Sequence, residues 1–190
     1  MSIDEGDRTT EVIVAQGFQL VNRDSAGKTY GVRPVIEAIG TEIAEEYKRV
    51  LEVEELRIML KAYTAGIALP RLKVPRGTTD GYLDGPAQNE IIGRKVLTMA
   101  RALATFIRAT LNKEGAEVGR NLDSATIYGG GGYLFHRPLR DGIPGDSELG
   151  TGILKDLYLP ADAEYLNAAY MQEMIQQQTQ LKPTRWERVR

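Results

Sequence analysis

The hydrophobic pattern at the start of the chain is that of short β-strands. Residues 11–16 and 17–22 each carry a strand pattern, and the Gln16-Gly17 pair between them favours a tight turn. Residues 28–31 begin or end another strand, and Ser2-Ile3 fits the stub of the first one. The opening of the chain therefore predicts an antiparallel meander.

Three later segments, at about residues 32–47, 52–63 and 88–112, place apolar residues at helical spacing. Pro34 suits the opening turn of the first helix, and the acidic start of the second complements the helix macrodipole. The apolar stripes are Val35, Ile36, Ile39, Ile43 and Tyr47, then Leu56, Met59 and Leu60, then Ile92, Val96, Met99, Leu103, Phe106, Ile107 and Leu111. These segments predict helices that pack on a sheet.

Two further strands are predicted downstream. Residues 67–74 alternate as a strand does, and Pro70 would confine that strand to a sheet edge. Residues 154–159 predict a last strand, after which Pro160 and an Asp162 cap open a helix. Residues 77–89 are rich in Gly, Pro and Asp and predict an exposed loop, which is suited to a variable contact surface. Residues 141–151 have a similar composition and predict a flexible loop.

A short buried strand runs directly into four consecutive glycines. Residues 125–128 read A-T-I-Y, which predicts the strand, and Gly129 to Gly132 follow it. Glycine lets another group approach the backbone closely. The run is therefore either a tight strand-to-helix corner or a floor for a flat or phosphorylated ligand, with amide N–H groups pointing inward.

Residues 4–10, D-E-G-D-R-T-T, form a short polar hairpin tip. Such a tip is either a solvated turn or a turn that wraps a phosphate. In the second case backbone N–H groups and hydroxyls contact the phosphate, and an Asp holds Mg²⁺ through water. The residues of this segment alone leave both interpretations open.

Composition narrows the function classes. The chain has 190 residues, 42% hydrophobic and 26% charged, and its net charge of −2 gives no electrostatic footprint for nucleic acid. No apolar run approaches membrane-spanning length. The lack of cysteine excludes a disulfide framework and thiol catalysis, and suits a cytoplasmic protein. The single histidine, His136, excludes a histidine-based metal cluster and predicts a structural role for this residue.

Three motifs together resemble the actin-like ATPases, most closely their plasmid-partition and archaeal branch. Residues 3–14, I-D-E-G-D-R-T-T-E-V-I-V, are similar to that family's second phosphate-binding hairpin, D-I-G-G-R-T-T-D followed by a strand. Residues 125–133, A-T-I-Y-G-G-G-G-Y, resemble its adenosine motif, a strand ending in G-G-G-A. Residues 157–168 are similar to its C-terminal segment, in which a strand leads into P-x-x-x-x-A-N-A on a helix.

The resemblance implies an α/β fold: a mixed sheet with an antiparallel meander and flanking helices, as in one actin-like, ribonuclease-H-like lobe. It covers residues 1–190 as a single second lobe. The core would lie at about 1–50 and 120–175, with an inserted helical subdomain at about 51–119 and a flexible tail at 176–190. Because the family closes two lobes on a nucleotide, we expect either a partner chain that supplies the first lobe, a fragment, or a relic that has shed it.

The resemblance also implies a ligand, ATP or ADP with Mg²⁺. Asp4 would hold Mg²⁺ through water, and Gly6, Thr9 and Thr10 would contact phosphate. The adenosine would lie on Gly130, Gly131 and Gly132. The implied function is that of an ATPase-related protein that self-associates or acts in filament-based plasmid partition or a cytoskeleton, in the cytoplasm.

Three residues depart from the family's pattern. Glu5 replaces an apolar residue, Asp7 replaces the second Gly of the hairpin, and Tyr133 replaces the small residue after the glycines. A carboxylate at Asp7 would face a polyphosphate with the wrong charge, and one lobe alone would hydrolyse a nucleotide poorly. These features favour the alternative, a non-catalytic adaptor that binds a protein partner. The intact Thr9-Thr10 pair and the glycine run favour nucleotide binding.

Overall fold

The computed structural model describes residues 1–16, 19–20, 26–76, 79–112, 125–150, 152–161 and 163. The elements in these ranges are β1 (Ser2–Glu5), β2 (Thr10–Ile13), β3 (Ala15–Gln16), β4 (Gln19–Leu20), β5 (Ala26–Lys28), α1 (Val32–Tyr47), α2 (Val53–Thr64), β6 (Leu72–Arg76), β7 (Thr79–Leu83), α3 (Gly85–Asn112), β8 (Ala125–Tyr128), α4 (Gly132–Asp141) and β9 (Leu157–Tyr158). Most of the strand predicted at 17–22, the helix predicted after Asp162 and the tail predicted at 176–190 lie outside the described residues.

Five strands form one mixed sheet in the order β5-β2-β1-β8-β9. The pairs β1–β2 and β2–β5 are antiparallel, whereas β1–β8 and β8–β9 are parallel. In the middle of the sheet Ile3 lies opposite Val12 on one side and Ile127 on the other, and all three side chains are fully buried. The predicted mixed sheet with an antiparallel meander is confirmed.

Helix α1 packs on α2 and α3, and α4 packs on α3 and on strands β8 and β9. The buried face of α1 consists of Val35, Ile36, Ile39 and Ile43, as the helical spacing predicted. These side chains join Ile3 and Ile127 of the sheet in one hydrophobic core. None of the described helices has the length and apolar character needed to cross a membrane.

The chain between α2 and α3 differs from the prediction. The strand predicted at 67–74 begins at Leu72, and it pairs with β7 in a separate two-stranded sheet. The exposed loop predicted at 77–89 is wrong, because most of this segment is β7 and the first turn of α3. The buried side-chain amide of Gln88 donates to the carbonyl oxygen of Leu83 at 2.9 Å, so tertiary packing outweighs the turn-forming composition.

Residues 142–150, which follow α4, contain no helix or strand, as predicted, but hydrogen bonds hold this loop in place. The Asp146 carboxylate accepts the backbone N–H groups of Glu148 and Leu149, each at 2.9 Å, and the Nε–H of Arg101 at 2.7 Å. The hydrogen bond from Leu149, followed by that from Arg101, lowers the pKa of Asp146. Helix α3 therefore holds this loop through an ion pair.

Candidate functional site

A cleft of about 520 Å³ opens between the β1–β2 turn, helices α1 and α2, and the glycine corner that joins β8 to α4. Its volume lies in the range of small-molecule sites. The wall residues are Asp7 from the turn, Val32 and Ile36 from α1, Glu54, Arg57, Leu60, Lys61 and Thr64 from α2, and Gly130, Tyr133 and Leu134 from the corner and α4. The wall therefore combines apolar side chains with four charged ones, the hydroxyl of Thr64 and the backbone of Gly130.

The β1–β2 turn is bonded to the start of α1. The N–H of Gly6 donates to Thr9 within the turn at 2.9 Å. The first amides of α1 donate to the turn as well, Val32 to the carbonyl oxygen of Gly6 at 3.1 Å and Arg33 to that of Asp7 at 2.5 Å. The turn carbonyls thus satisfy N–H groups that a helix normally leaves unpaired at its N-terminus.

The Glu5 side chain is fully buried where β1 ends. The hydroxyl oxygen of Thr10, directly across on β2, lies within hydrogen-bond distance of both Glu5 carboxyl oxygens, at 2.7 Å from Oε1 and 2.5 Å from Oε2. Burial raises the pKa of Glu5 from its ordinary 4.5 to about 8, against the opposing effect of the Thr10 hydrogen bond and with a small addition from Asp4. The carboxyl group is therefore protonated at neutral pH, and the buried Thr10 hydroxyl is committed to it.

The four glycines serve different purposes. Gly129 has a φ of +85°, and a Cβ there would overlap the carbonyl oxygen of Glu5, so only glycine suits this position. A Cβ on Gly131 would stand 3.0 Å from side-chain atoms of both Glu5 and Val32, and the Gly131 N–H donates to the Glu5 carbonyl oxygen at 3.0 Å. Gly130 alone faces open space and lines the cleft. The run is thus mainly a tight corner, with one residue open to a ligand.

Charges of opposite sign meet inside the cleft. The Nη2 of Arg57 lies 2.8 Å from Oδ1 of Asp7, and this ion pair joins α2 to the turn. The Nε of Arg57 is buried and has no hydrogen-bond partner among the described residues. A ligand in the cleft would reach this donor only if the Arg57 side chain moved.

Comparisons with known proteins identify the fold. No protein-family model matches the sequence, and no curated protein matches it. Among solved structures, an archaeal actin homolog, Ta0583, superposes with a TM-score of 0.65 at 21% identity over 93% of this chain and 48% of that one. A non-polymerisable mutant of pCBH ParM superposes with a TM-score of 0.65 at 17% identity, over 93% of this chain and 46% of that one. A non-polymerising mutant of MamK bound to AMPPNP superposes with a TM-score of 0.58 at 13% identity, over 86% of this chain and 50% of that one.

The fold is actin-like. The chain spans about half the length of each of these structures, so it has the fold of part of an actin-like protein. The fold class predicted from the three motifs is confirmed. The division into a core and an inserted subdomain stays a prediction.

The predicted site residues occupy different places around this actin-like core. Gly130 lines the cleft, and Gly131 and Gly132 pack behind it in the corner. Gly6 and Thr9 lie in the β1–β2 turn, where the N–H of Gly6 bonds to the carbonyl oxygen of Thr9. Their roles in nucleotide binding stay predictions, and a role for Thr10 would require its hydroxyl to leave Glu5.

The residues that sequence reasoning missed lie on α2. Arg57 and Lys61 are four positions apart, and with Glu54 they put three charged side chains on the wall of the cleft. The i,i+4 spacing of the two cations was a usable signal, because such residues share one face of a helix. The prediction considered only the apolar face of this helix and its acidic start.

Asp4 is the residue predicted to hold Mg²⁺ through water. Asp4 does not line the cleft, and its Oδ1 is buried about where the corner begins, 3.0 Å from the position of a Cβ on Gly129. In the described ranges no three acidic or histidine side chains come close enough together to hold a metal ion. A single carboxylate that holds Mg²⁺ through water does not need such a cluster, so the assignment of Asp4 stays a prediction from the resemblance.

Proposed function

We propose that this chain is an actin-like protein that binds an adenine nucleotide or nucleoside in the cleft, and that it self-associates or works with a partner chain in partition or a cytoskeleton. The observation that carries the proposal is the cleft itself, floored by Gly130 within an actin-like fold. A solved structure of the archaeal homolog in complex with ADP supports it, with a TM-score of 0.64 at 22% identity. A solved MamK structure holds AMPPNP.

The wall residues have distinct roles in this proposal. The Tyr133 ring and the open backbone at Gly130 provide flat surfaces for a base. The Tyr133 hydroxyl donates to the carbonyl oxygen of Ala161 at 2.8 Å, which holds the ring in place. On the opposite wall Glu54 is an acceptor for ribose hydroxyls, and Arg57 and Lys61 are donors.

Binding without independent hydrolysis is the activity that we propose. Phosphoryl transfer needs charge neutralisation from several directions around the transferred group. The cations that line the cleft, Arg57 and Lys61, both come from α2 and therefore from one wall. A partner chain that closes the cleft would have to supply the remaining groups.

The second candidate function is a non-catalytic adaptor that binds a protein. Large apolar side chains are exposed on and around α2 and β7: Val50 at 77%, Ile58 at 61%, Ile67 at 62% and Tyr82 at 63%. The adaptor function requires that these side chains join in one patch, because contiguous exposed apolar surface is typical of interaction sites. These residues are the first to mutate if the cleft binds no nucleotide.

A thermal-shift titration tests the proposed function. Adenosine, ADP and ATP, the nucleotides with Mg²⁺, are added to the wild type and to Gly130→Trp, because a ligand of the folded state must raise the melting temperature. The matched control is Tyr158→Trp, which places the same ring at a side chain that is 62% exposed and outside the cleft. A shift present in the wild type and control but lost in Gly130→Trp supports the cleft. No shift with any of the three at millimolar concentration refutes it and favours the adaptor.

A further inference from the structure

We infer that Tyr133 couples the cleft to the chain that follows β9, so that a ligand in the cleft and the attachment of Ala161 and Ala163 to the glycine corner strengthen each other. This coupling rests on the proposed function, since it concerns how occupancy of the same cleft is regulated. One side chain contacts both places. The Tyr133 ring lines the cleft, and its hydroxyl donates to the carbonyl oxygen of Ala161, 28 positions later, at 2.8 Å.

Two further contacts attach the chain after β9 to the glycine corner. The N–H of Gly129 donates to the carbonyl oxygen of Ala163 at 2.7 Å, and Ala163 is fully buried. A Cβ on Gly132 would stand 3.2 Å from Cδ1 of Leu159, so this leucine packs directly on the corner. Gly130, between the two attached glycines, faces open space and lines the cleft. The same short corner therefore borders the cleft and holds the chain after β9.

The orientation of the Tyr133 ring joins these two functions of the corner. Tyr133 is 41% exposed, so packing alone leaves its ring room to turn. The hydrogen bond to Ala161 favours the orientation that the ring has in the cleft wall, which lowers the ordering cost of binding a ligand against it. A ligand on the ring in turn favours the orientation in which the hydroxyl reaches Ala161. Linkage requires the two effects to be equal in free energy.

The expected size of the coupling is that of one intramolecular hydrogen bond. Such a bond changes an equilibrium by about twofold to tenfold, and because Tyr133 is partly exposed we expect about threefold. A partner that drew Ala161 and Ala163 away from the corner would weaken ligand binding by about the same factor. Occupancy of the cleft would thus respond to whatever binds the chain after β9.

Tyr133→Phe tests the coupling, because it removes the hydroxyl and keeps the ring. The matched control is Tyr158→Phe, which removes a hydroxyl from a side chain that is 62% exposed on β9 and outside the cleft. Isothermal titration calorimetry of the full chain is carried out with adenosine and with Mg-ADP. Binding to Tyr133→Phe should be about threefold weaker than binding to the wild type and to the control.

Amide hydrogen exchange, measured residue by residue by NMR, gives a second readout that needs no ligand. Without ligand, Tyr133→Phe should speed exchange of the Gly129 N–H about threefold, because Ala161 lies two positions before its acceptor, Ala163. The reference is the N–H of Gln88, which is bonded at the start of α3 and outside the cleft. In the wild type, adenosine should slow exchange at Gly129 more than at the reference, and Tyr133→Phe should abolish that difference.

Three results would overturn the coupling and leave the proposed function intact. The first is equal affinity of Tyr133→Phe and the wild type for a ligand that binds. The second is exchange at Gly129 that neither Tyr133→Phe nor the ligand changes relative to Gln88. The third is an equal loss of affinity in Tyr158→Phe, which would make the effect independent of the bond to Ala161. Absence of binding by both ligands to the wild type would refute the proposed function and the coupling together.

Discussion

Replacement of Glu5 by Gln should remove most of the dependence of stability on pH between 5 and 9. Burial raises the pKa of Glu5 from its ordinary 4.5 to about 8. The folded state therefore holds a proton that the unfolded state releases above pH 4.5, and the free energy of unfolding falls as the pH rises from 4.5 to about 8. The stabilisation is fully present below pH 4.5 and is lost above pH 8.

The size of the effect follows from the same two pKa values. Each pH unit between them corresponds to about 1.4 kcal/mol, so the wild type should lose about 3 kcal/mol by pH 7 and about 5 kcal/mol by pH 9. Glu5→Gln keeps an acceptor for the Thr10 hydroxyl and carries no titrating proton. Its stability should therefore stay nearly level over this range.

Urea denaturation at pH 5, 6, 7, 8 and 9 measures the difference between the wild type and Glu5→Gln. The matched control is Glu11→Gln, because Glu11 is exposed on the neighbouring strand β2. The pKa values of Glu42 and Asp146 are lowered, so the stability that these groups contribute is lost only as the pH falls. Their titration therefore lies below the range from pH 5 to 9. Parallel stability curves for the wild type and Glu5→Gln from pH 5 to 9 would refute a protonated, buried Glu5.

Three further predictions concern contacts within the fold, and urea denaturation tests each of them. Thr10→Val should cost about 1–3 kcal/mol, because the buried Glu5 carboxyl group loses its hydrogen bond; an unchanged midpoint would contradict that bond. Gly129→Ala should destabilise the fold by more than about 1 kcal/mol, because the φ of +85° and the nearby Glu5 carbonyl oxygen oppose a Cβ. Gly130→Ala should be nearly neutral, because a Cβ there meets open space. Equal effects of the two alanines would count against this corner. Asp146→Ala should lower the denaturation midpoint through the loss of three hydrogen bonds, and an unchanged midpoint would show that the loop does not depend on them.

The sheet and the helices could be predicted because local pattern and tertiary environment agree there. The buried face of α1 follows directly from the spacing of Val35, Ile36, Ile39 and Ile43. The mixed sheet follows from three motifs whose order carries the resemblance. The β6–β7 hairpin was missed, because its residues include Gly, Asp and Pro, and packing around Leu83 and Gln88 decides their conformation.

The candidate site was less predictable than the fold, because contacts distant in sequence create it. Arg57 meets Asp7 across 50 positions, and no local pattern encodes that pair. The sequence also cannot distinguish a glycine that faces a ligand from one that makes room for a neighbour. Gly130 lines the cleft, whereas Gly129 and Gly131 accommodate the backbone and side chain of Glu5.

The two departures in the β1–β2 hairpin should have separable effects. Glu5 is buried and bonded to Thr10, and its carbonyl oxygen accepts the Gly131 N–H, so changes at Glu5 act on the joint between the sheet and the corner. Asp7 and Arg57 are each more than 40% exposed, and an ion pair of that kind contributes at most about 1 kcal/mol to stability. Asp7→Asn should therefore change stability little, whereas Glu5→Gln should change the dependence of folding on pH between pH 5 and 9. Urea denaturation of both variants at pH 5 and pH 9 measures this difference, and a large loss of stability in Asp7→Asn at both pH values would contradict it.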